Sequence, residues 1–161
     1  MRKQYFADKH IKTNLRITVY SHLLLAGACV FLFLRTLLRG AEESYNYGAM
    51  ILFVGMALYL LWVAFRTARL LNGLKQSRLW IREDVLDGVA LCGVQGNVQE
   101  FCIPLNEVQS LAATTVGLSS NRRYAALVLN TVRGQLTLFG LEDQAEIAKY
   151  IQNSIDAGTE E

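Results

Sequence analysis

Two acidic clusters are the first places to look for chemistry in this 161-residue sequence. Glu83, Asp84 and Asp87 lie within one short stretch, and Glu142, Asp143 and Glu146 within another. General acid–base catalysis needs carboxyl groups converging in a pocket with their pKa values pushed apart. Both clusters have a plainer explanation. The first sits where a solvated turn is expected, and the second opens an amphipathic helix whose dipole favours negative charge. Ser119 and Ser120 have no histidine near them in sequence, because the two histidines stand at positions 10 and 22. That leaves them without a local nucleophile–base pair. The glycine loop Gly93–Asn97 falls between two predicted strands and not ahead of a helix, so it is poorly built to cradle phosphate. Three cysteines, Cys29, Cys92 and Cys102, make no disulfide framework. Cys92 and Cys102 flank a predicted hairpin turn and could face each other across it, reduced in a cytoplasmic setting. A zinc site would need further ligands close by. No enzyme, no cofactor and no metal site is therefore expected.

Binding is the better prospect. Arg122–Arg123 is the only basic pair in an otherwise acidic half of the chain, and Tyr124 follows it. In the polar stretch "GLSSNRRY" they suit a docking point for an acidic partner or for lipid headgroups, against the alternative of a solvated loop. A second basic set, Arg66, Arg69, Lys75 and Arg78, follows the most apolar part of the chain. Residues of this kind anchor a helix at a membrane interface.

The elements that must position these groups centre on an apolar hairpin, residues 17–69. Its spans are Ile17–Leu34 and Tyr47–Phe65, free of formal charge apart from His22 and free of proline. Eighteen residues of helix cover roughly 27 Å, close to the ~30 Å hydrocarbon core of a bilayer. Two such runs are too apolar for the rest of a short chain to wrap. Tyr20, Tyr45, Tyr47, Tyr59 and Trp62 suit the interfacial aromatic belt. Gly27, Ala28, Gly48, Gly55 and Ala57 allow close helix approach. His22 lies about one turn into the first span, placed to hydrogen-bond the neighbouring helix.

Charge divides unevenly. The first 78 residues hold eleven Lys and Arg against three acids, a balance of +8, and residues 79–161 hold five against eleven, a balance of −6. This split argues against nucleic-acid binding. Basic residues flank both outer ends of the hairpin, which places the N-terminus and the C-terminal part in the cytoplasm. Residues 1–16 read as a solvated basic lead-in, or as an interfacial helix dipping Phe6, Ile11 and Leu15 into headgroups. Residues 70–78 read as a hinge, with the helix stopping at Asn72–Gly73. From residue 79 the period changes to that of short strands, about six of them. Pro104 ends one strand, and "GLSSNRR" forms a polar loop. Ile147, Tyr150, Ile151 and Ile155 then fall at helical spacing, and residues 158–161 fray. The expected class is an α+β membrane protein, a transmembrane hairpin followed by an antiparallel β-barrel or sandwich over residues 79–157 with a C-terminal amphipathic helix.

The segments "RLWIREDVLDGVALCG", "IPLNEVQSL" and "YAALVLNTVRGQLTLFGLEDQAEIAKYIQNSI" resemble the bacterial pleckstrin-homology-like (PH-like) domains, in their membrane-anchored form with a two-helix hairpin. The resemblance implies a PH-like barrel, placement in the bacterial inner membrane, and a non-enzymatic role in protein binding or self-association. It carries over no catalytic residue. The first hairpin turn, "REDVLDG", is acidic where phosphoinositide recognition needs a basic loop, so phosphoinositide is not expected as a ligand. Two other roles fit the same architecture: a membrane-surface sensor of lipid or a small ligand, and an accessory subunit of a larger membrane complex.

Overall fold

The computed structural model describes residues 2–40, 47–82, 84–92, 96–119 and 122–158. Its elements in order are β1 (Arg2–Phe6), α1 (Lys9–Gly40), α2 (Tyr47–Gln76), β2 (Arg78–Arg82), β3 (Val85–Cys92), β4 (Asn97–Pro104), β5 (Val108–Ser119), β6 (Arg122–Thr131), β7 (Gly134–Phe139) and α3 (Gln144–Gly158). The chain divides into two compact units, Thr13–Arg69 and a second made of Met1–Lys12 with Leu70–Glu161.

The first unit consists, among described residues, of α1 from Thr13 onward and α2 up to Arg69. Both helices are long and apolar enough to cross a membrane. Each buries one narrow stripe. On α2 the less exposed positions are Phe53, Ala57, Leu60, Ala64 and Thr67, alternating by four and three as in a coiled-coil seam. On α1 they include Leu15, His22, Ala26, Cys29 and Phe33. Small side chains are among the most buried on these helices, Ala26, Cys29, Ala57 and Ala64. Gly27 and Gly55, expected at the seam, face open space, and Ala28 is exposed. The His22 Nδ1 lies 2.7 Å from the Thr18 carbonyl oxygen of its own helix, and this is the hydrogen bond recorded for it, not one to the neighbouring helix. Away from the seam the surface is bare of polar cover: Leu24 is 75% exposed, Ile51 74% and Phe65 69%.

The second unit is a two-layer β domain. One sheet has the order β1-β2-β3-β4 and the other β5-β6-β7, all antiparallel. Period-two patterning builds the core between them. Leu79 and Ile81 of β2 point inward while Arg78 and Arg82 point out, and Leu127 and Leu129 of β6 and Leu136 and Leu138 of β7 do the same. Each such side chain contributes roughly 1.5–3 kcal/mol by leaving water. Helix α3 closes the core with Ile147 and Ile151, both fully buried. A single 3-10 turn, Leu105–Glu107, carries the chain from one sheet to the other.

The structure departs from the sequence expectations at several points. The first part of the basic segment 1–16 is neither a solvated lead-in nor an interfacial helix, and from Lys9 the segment is the start of α1. Arg2–Phe6 is the outer strand of the four-stranded sheet, in register from Arg2↔Arg82 to Phe6↔Arg78. The count of six strands from residue 79 onward is met by β2–β7, with β2 opening at Arg78, and β1 is a seventh. Helix α2 does not stop at Asn72–Gly73 but runs to Gln76. Gly73 is there for space: a Cβ would stand 2.5 Å from Leu91 Cδ1 and 2.6 Å from the Gly96 carbonyl oxygen. Of the residues assigned to a hinge, Leu70, Leu71 and Leu74 are buried core, while Asn72, Lys75, Gln76 and Arg78 stay exposed. The polar loop is shorter than expected, because β5 continues through Ser119 and β6 begins at Arg122. Glu142 and Asp143 precede α3 instead of lying in its first turn, and Asp143 takes a left-handed backbone, φ 52°. Cys92 and Cys102 do not face each other. Cys92 pairs with Asn97 and Cys102 with Asp87, five ladder positions apart.

The topology has a consequence for the hairpin. β1 and β2 are adjacent antiparallel strands, a pairing that a two-residue turn often makes. Here the connection is α1 and α2. The whole apolar hairpin is an insertion between two neighbouring strands of one domain.

Candidate functional site

Both ends of the insertion meet at one junction inside the β domain. The end of β1 is clamped by the β7–α3 turn: the Asp8 amide donates to the Gly140 carbonyl at 2.8 Å, and the Glu142 amide to the Phe6 carbonyl at 2.8 Å. Asp8 then caps α1, its carboxylate accepting from the His10 amide at 2.7 Å. Leu74 arrives from α2. Gly140 has φ +66°, and a Cβ there would meet Leu74 Cδ1 at 2.6 Å. Leucine packing at this spot needs a residue that is both left-handed and without a side chain.

Beside the junction lies an open groove of about 520 Å³. Lys75, Arg78, Phe6, Val98 and Glu100 are among its walls. The Arg78 guanidinium sits 4.7 Å over the Trp80 ring. Of the basic residues singled out in sequence, Lys75 and Arg78 come together here. Arg66 lies in the other unit, 5.7 Å from the centre of the Trp62 ring, and Arg69 is exposed on α2. A smaller groove of about 270 Å³ runs between β4 and the β6–β7 turn, past Cys102 and Gln135. Arg133 at its rim is held by Glu107 at 2.7 Å.

The expected docking residues occupy a two-stranded arm. Strand β7 ends at Phe139 opposite Ala126, so β6 from Arg122 to Ala125 pairs only with β5. Arg122 and Arg123 are strand residues near the turn, not loop residues. The Arg123 side chain is exposed, and that of Arg122 lies outside the description. Tyr124 is half-buried, its ring edge-on to Phe139 at 6.1 Å. The arm exposes both faces of β5: Ala112, Ala113, Thr114, Thr115 and Gly117 are all solvent-accessible. Its outer edge pairs with no other described strand, and no charge interrupts residues 109–121. Proteins commonly blunt such an edge with lysine or proline. Sequence reasoning missed this feature because alternation predicts a strand, not which of its two edges goes without a strand partner.

Two of the clustered acids, Asp87 and Glu146, have ion-pair partners. Asp87 pairs with Arg82 at 3.4 Å, and the Asp84 carbonyl accepts from the Leu105 amide at 2.8 Å. Glu83 lies outside the described residues, as do Ser120, Asn121 and the Gly93–Gln95 part of the glycine loop. Among the described residues, no three His, Cys, Asp or Glu side chains gather as metal ligands. Glu146 ties α3 to β1 through Lys3.

This Lys3–Glu146 pair has a pH signature. The hydrogen bond from Lys3, then its charge, lowers the Glu146 pKa below 4.5. The same bond, then the Glu146 charge, raises Lys3 above 10.5. Burial, then the Glu146 charge, raises Tyr5 above 10.0. A depressed carboxylate stabilises the fold above its unfolded pKa and loses this as pH falls through its folded value. Raised lysine and tyrosine values act in the opposite sense, their contribution being full below pH 10 and lost as pH climbs past it. Both charges are solvent-exposed, so the effect is small. Thermal unfolding followed from pH 6 to pH 3 is expected to show a shallower acid fall for Glu146→Gln than for the unaltered protein.

No family model, curated protein or solved structure matches this chain. The fold and junction define a class on their own terms: a two-sheet α+β domain with two long apolar helices inserted between neighbouring strands.

Proposed function

We propose that this chain is a membrane-anchored, non-enzymatic adaptor, and that its β domain binds a protein partner or a second copy of itself through the β5–β6 arm. The observation that carries this reading is the uncharged, unpaired β5 edge on a domain that bears two apolar helices. An open edge offers a row of backbone donors and acceptors, and strand addition uses them for affinity while flanking side chains set specificity. Arg123 is placed to select an acidic flank. The two helices support integral insertion in a bilayer. Their exposed leucine and phenylalanine surface would forgo roughly 1.5–3 kcal/mol per large side chain in water, and lipid removes that cost. Basic residues at both outer ends of the hairpin support a cytoplasmic N-terminus and β domain, in the inner membrane of a bacterium. Four strands against three with a helix at the C-terminal end are what supports a PH-like description of the domain.

The reading is tested by native mass measurement after extraction in mild detergent. The expected result is an assembly larger than the monomer, lost in Thr115→Lys, which puts a charge on the open edge. A substitution on an exposed arm should change stability by no more than about 0.5 kcal/mol. Monomer alone under gentle conditions overturns the adaptor role. Release of the chain from membranes by alkaline carbonate overturns the anchor.

A further inference from the structure

We infer that the groove beside the junction is a headgroup site for an anionic phospholipid, with Lys75 and Arg78 holding the phosphodiester and Phe6 and Val98 receiving the start of the acyl region. This rests on reading α2 as a membrane helix, and it goes beyond partner binding. Three observations point to it. First, among the described residues of the β-domain unit only three large apolar side chains are well exposed: Phe6 (52%), Val98 (38%) and Val132. Two of those three line this one groove. Second, Lys75 and Arg78 line it too, and neither has a carboxylate partner within ion-pair distance among the described residues. Arg78 is positioned by the Trp80 ring and not by an anion, which leaves its donors available for a phosphate fork. Third, Lys75 stands in the last turn of the same α2 helix whose apolar length suits a bilayer.

The charges also discriminate between anions. Two cations and Glu100 in its lining leave the groove at a net single positive charge. A monoanionic phosphodiester matches that better than a doubly charged free phosphate, which Glu100 repels. A hydroxylated headgroup can in addition donate to the Glu100 carboxylate. The volume, about 520 Å³, lies inside the range of small-ligand sites, roughly 300–1,000 Å³.

The experiment uses the full chain in non-ionic detergent. The sequence has two tryptophans, so Trp62→Phe leaves Trp80, beneath Arg78, as the sole indole reporter. Its emission is followed during titration with six-carbon-chain phosphatidylglycerol, phosphatidylcholine of the same chain length, glycerol phosphate and inorganic phosphate. Saturable change with phosphatidylglycerol is expected, weakening as salt is added. Lys75→Gln with Arg78→Gln should reduce affinity at least about tenfold, the loss of one strong charge-assisted contact. Phe6→Ser should weaken the lipid response, and unfolding temperatures should confirm that both variants fold. Equal binding of phosphatidylcholine overturns the assignment, as does an unchanged response in the double variant. Competition by inorganic phosphate as effective as the lipid reassigns the groove to free anions and also overturns it. Failure here with the chain still retained in carbonate-washed membranes would refute the lipid site and leave the membrane anchor standing.

Discussion

Leu74→Ala is expected to destabilise the β domain by about 2–5 kcal/mol, the range for a leucine removed from a packed interior. From sequence this residue belongs to a juxtamembrane hinge, where an alanine would change stability by no more than about 0.5 kcal/mol. The structure places it in the last turns of α2, fully buried, against the bare Cα of Gly140. Little can collapse into the space it would leave, because the neighbouring β7–α3 turn is held by two backbone hydrogen bonds, one to Phe6 of β1 and one to Asp8 just after it. The cost should therefore fall in the upper half of that range. Denaturant unfolding of the detergent-solubilised chain, followed by near-ultraviolet dichroism, measures it. Lys75→Ala, one residue on and exposed, is the control and should be close to neutral. Similar midpoints for the two variants would show that the end of α2 is not part of the domain core.

The second large effect concerns the first strand. Tyr5→Ala is expected to cost about 3 kcal/mol, near the lower end for removing a buried aromatic. The ring is buried in the main core between the sheets and α3. Its hydroxyl is buried beside Glu146 without a hydrogen bond of good geometry in the described structure, so removing it relieves a poorly satisfied polar group and offsets part of the loss. Tyr5→Phe keeps the ring and discards that hydroxyl, and should be neutral or slightly stabilising. Deleting Arg2–Phe6 altogether should exceed either substitution. It strips five register pairs from β2 and leaves the insertion tethered to the sheet on one side only. Amide hydrogen exchange in β2 reads this directly: protection of Leu79–Ile81 should collapse in the deletion. Unchanged protection would mean that residues 2–6 are a lead-in after all.

Leu74 and Tyr5 both lie where local sequence preference and tertiary packing part. The apolar runs were legible because a stretch of about 20 uncharged residues leaves few alternatives to a long helix. Strands β2–β7 were legible because half-buried strands alternate, as Leu79 and Ile81 do between two arginines. Helix α3 was legible from Ile147, Ile151 and Ile155 at helical spacing. All three signals are local, written into the order of neighbouring residues.

What tertiary structure decided is non-local. "RKQYF" carries three polar residues in five and no turn signal, so nothing in it announces a strand; it becomes one because β2 offers an edge more than seventy residues away. Gly73 looks like a helix stop but is a contact glycine, since only the approach of Leu91 and Gly96 shows that a Cβ has no room. Phe6, Lys75, Arg78 and Val98 share a groove through the register of β1 on β2 and the course of α2, and no spacing along the chain could reveal it. Composition and periodicity report what each segment prefers in isolation. Which edges pair, which stay open, and which distant side chains share a cavity depend on burying one common core, and that is settled only when the whole chain packs.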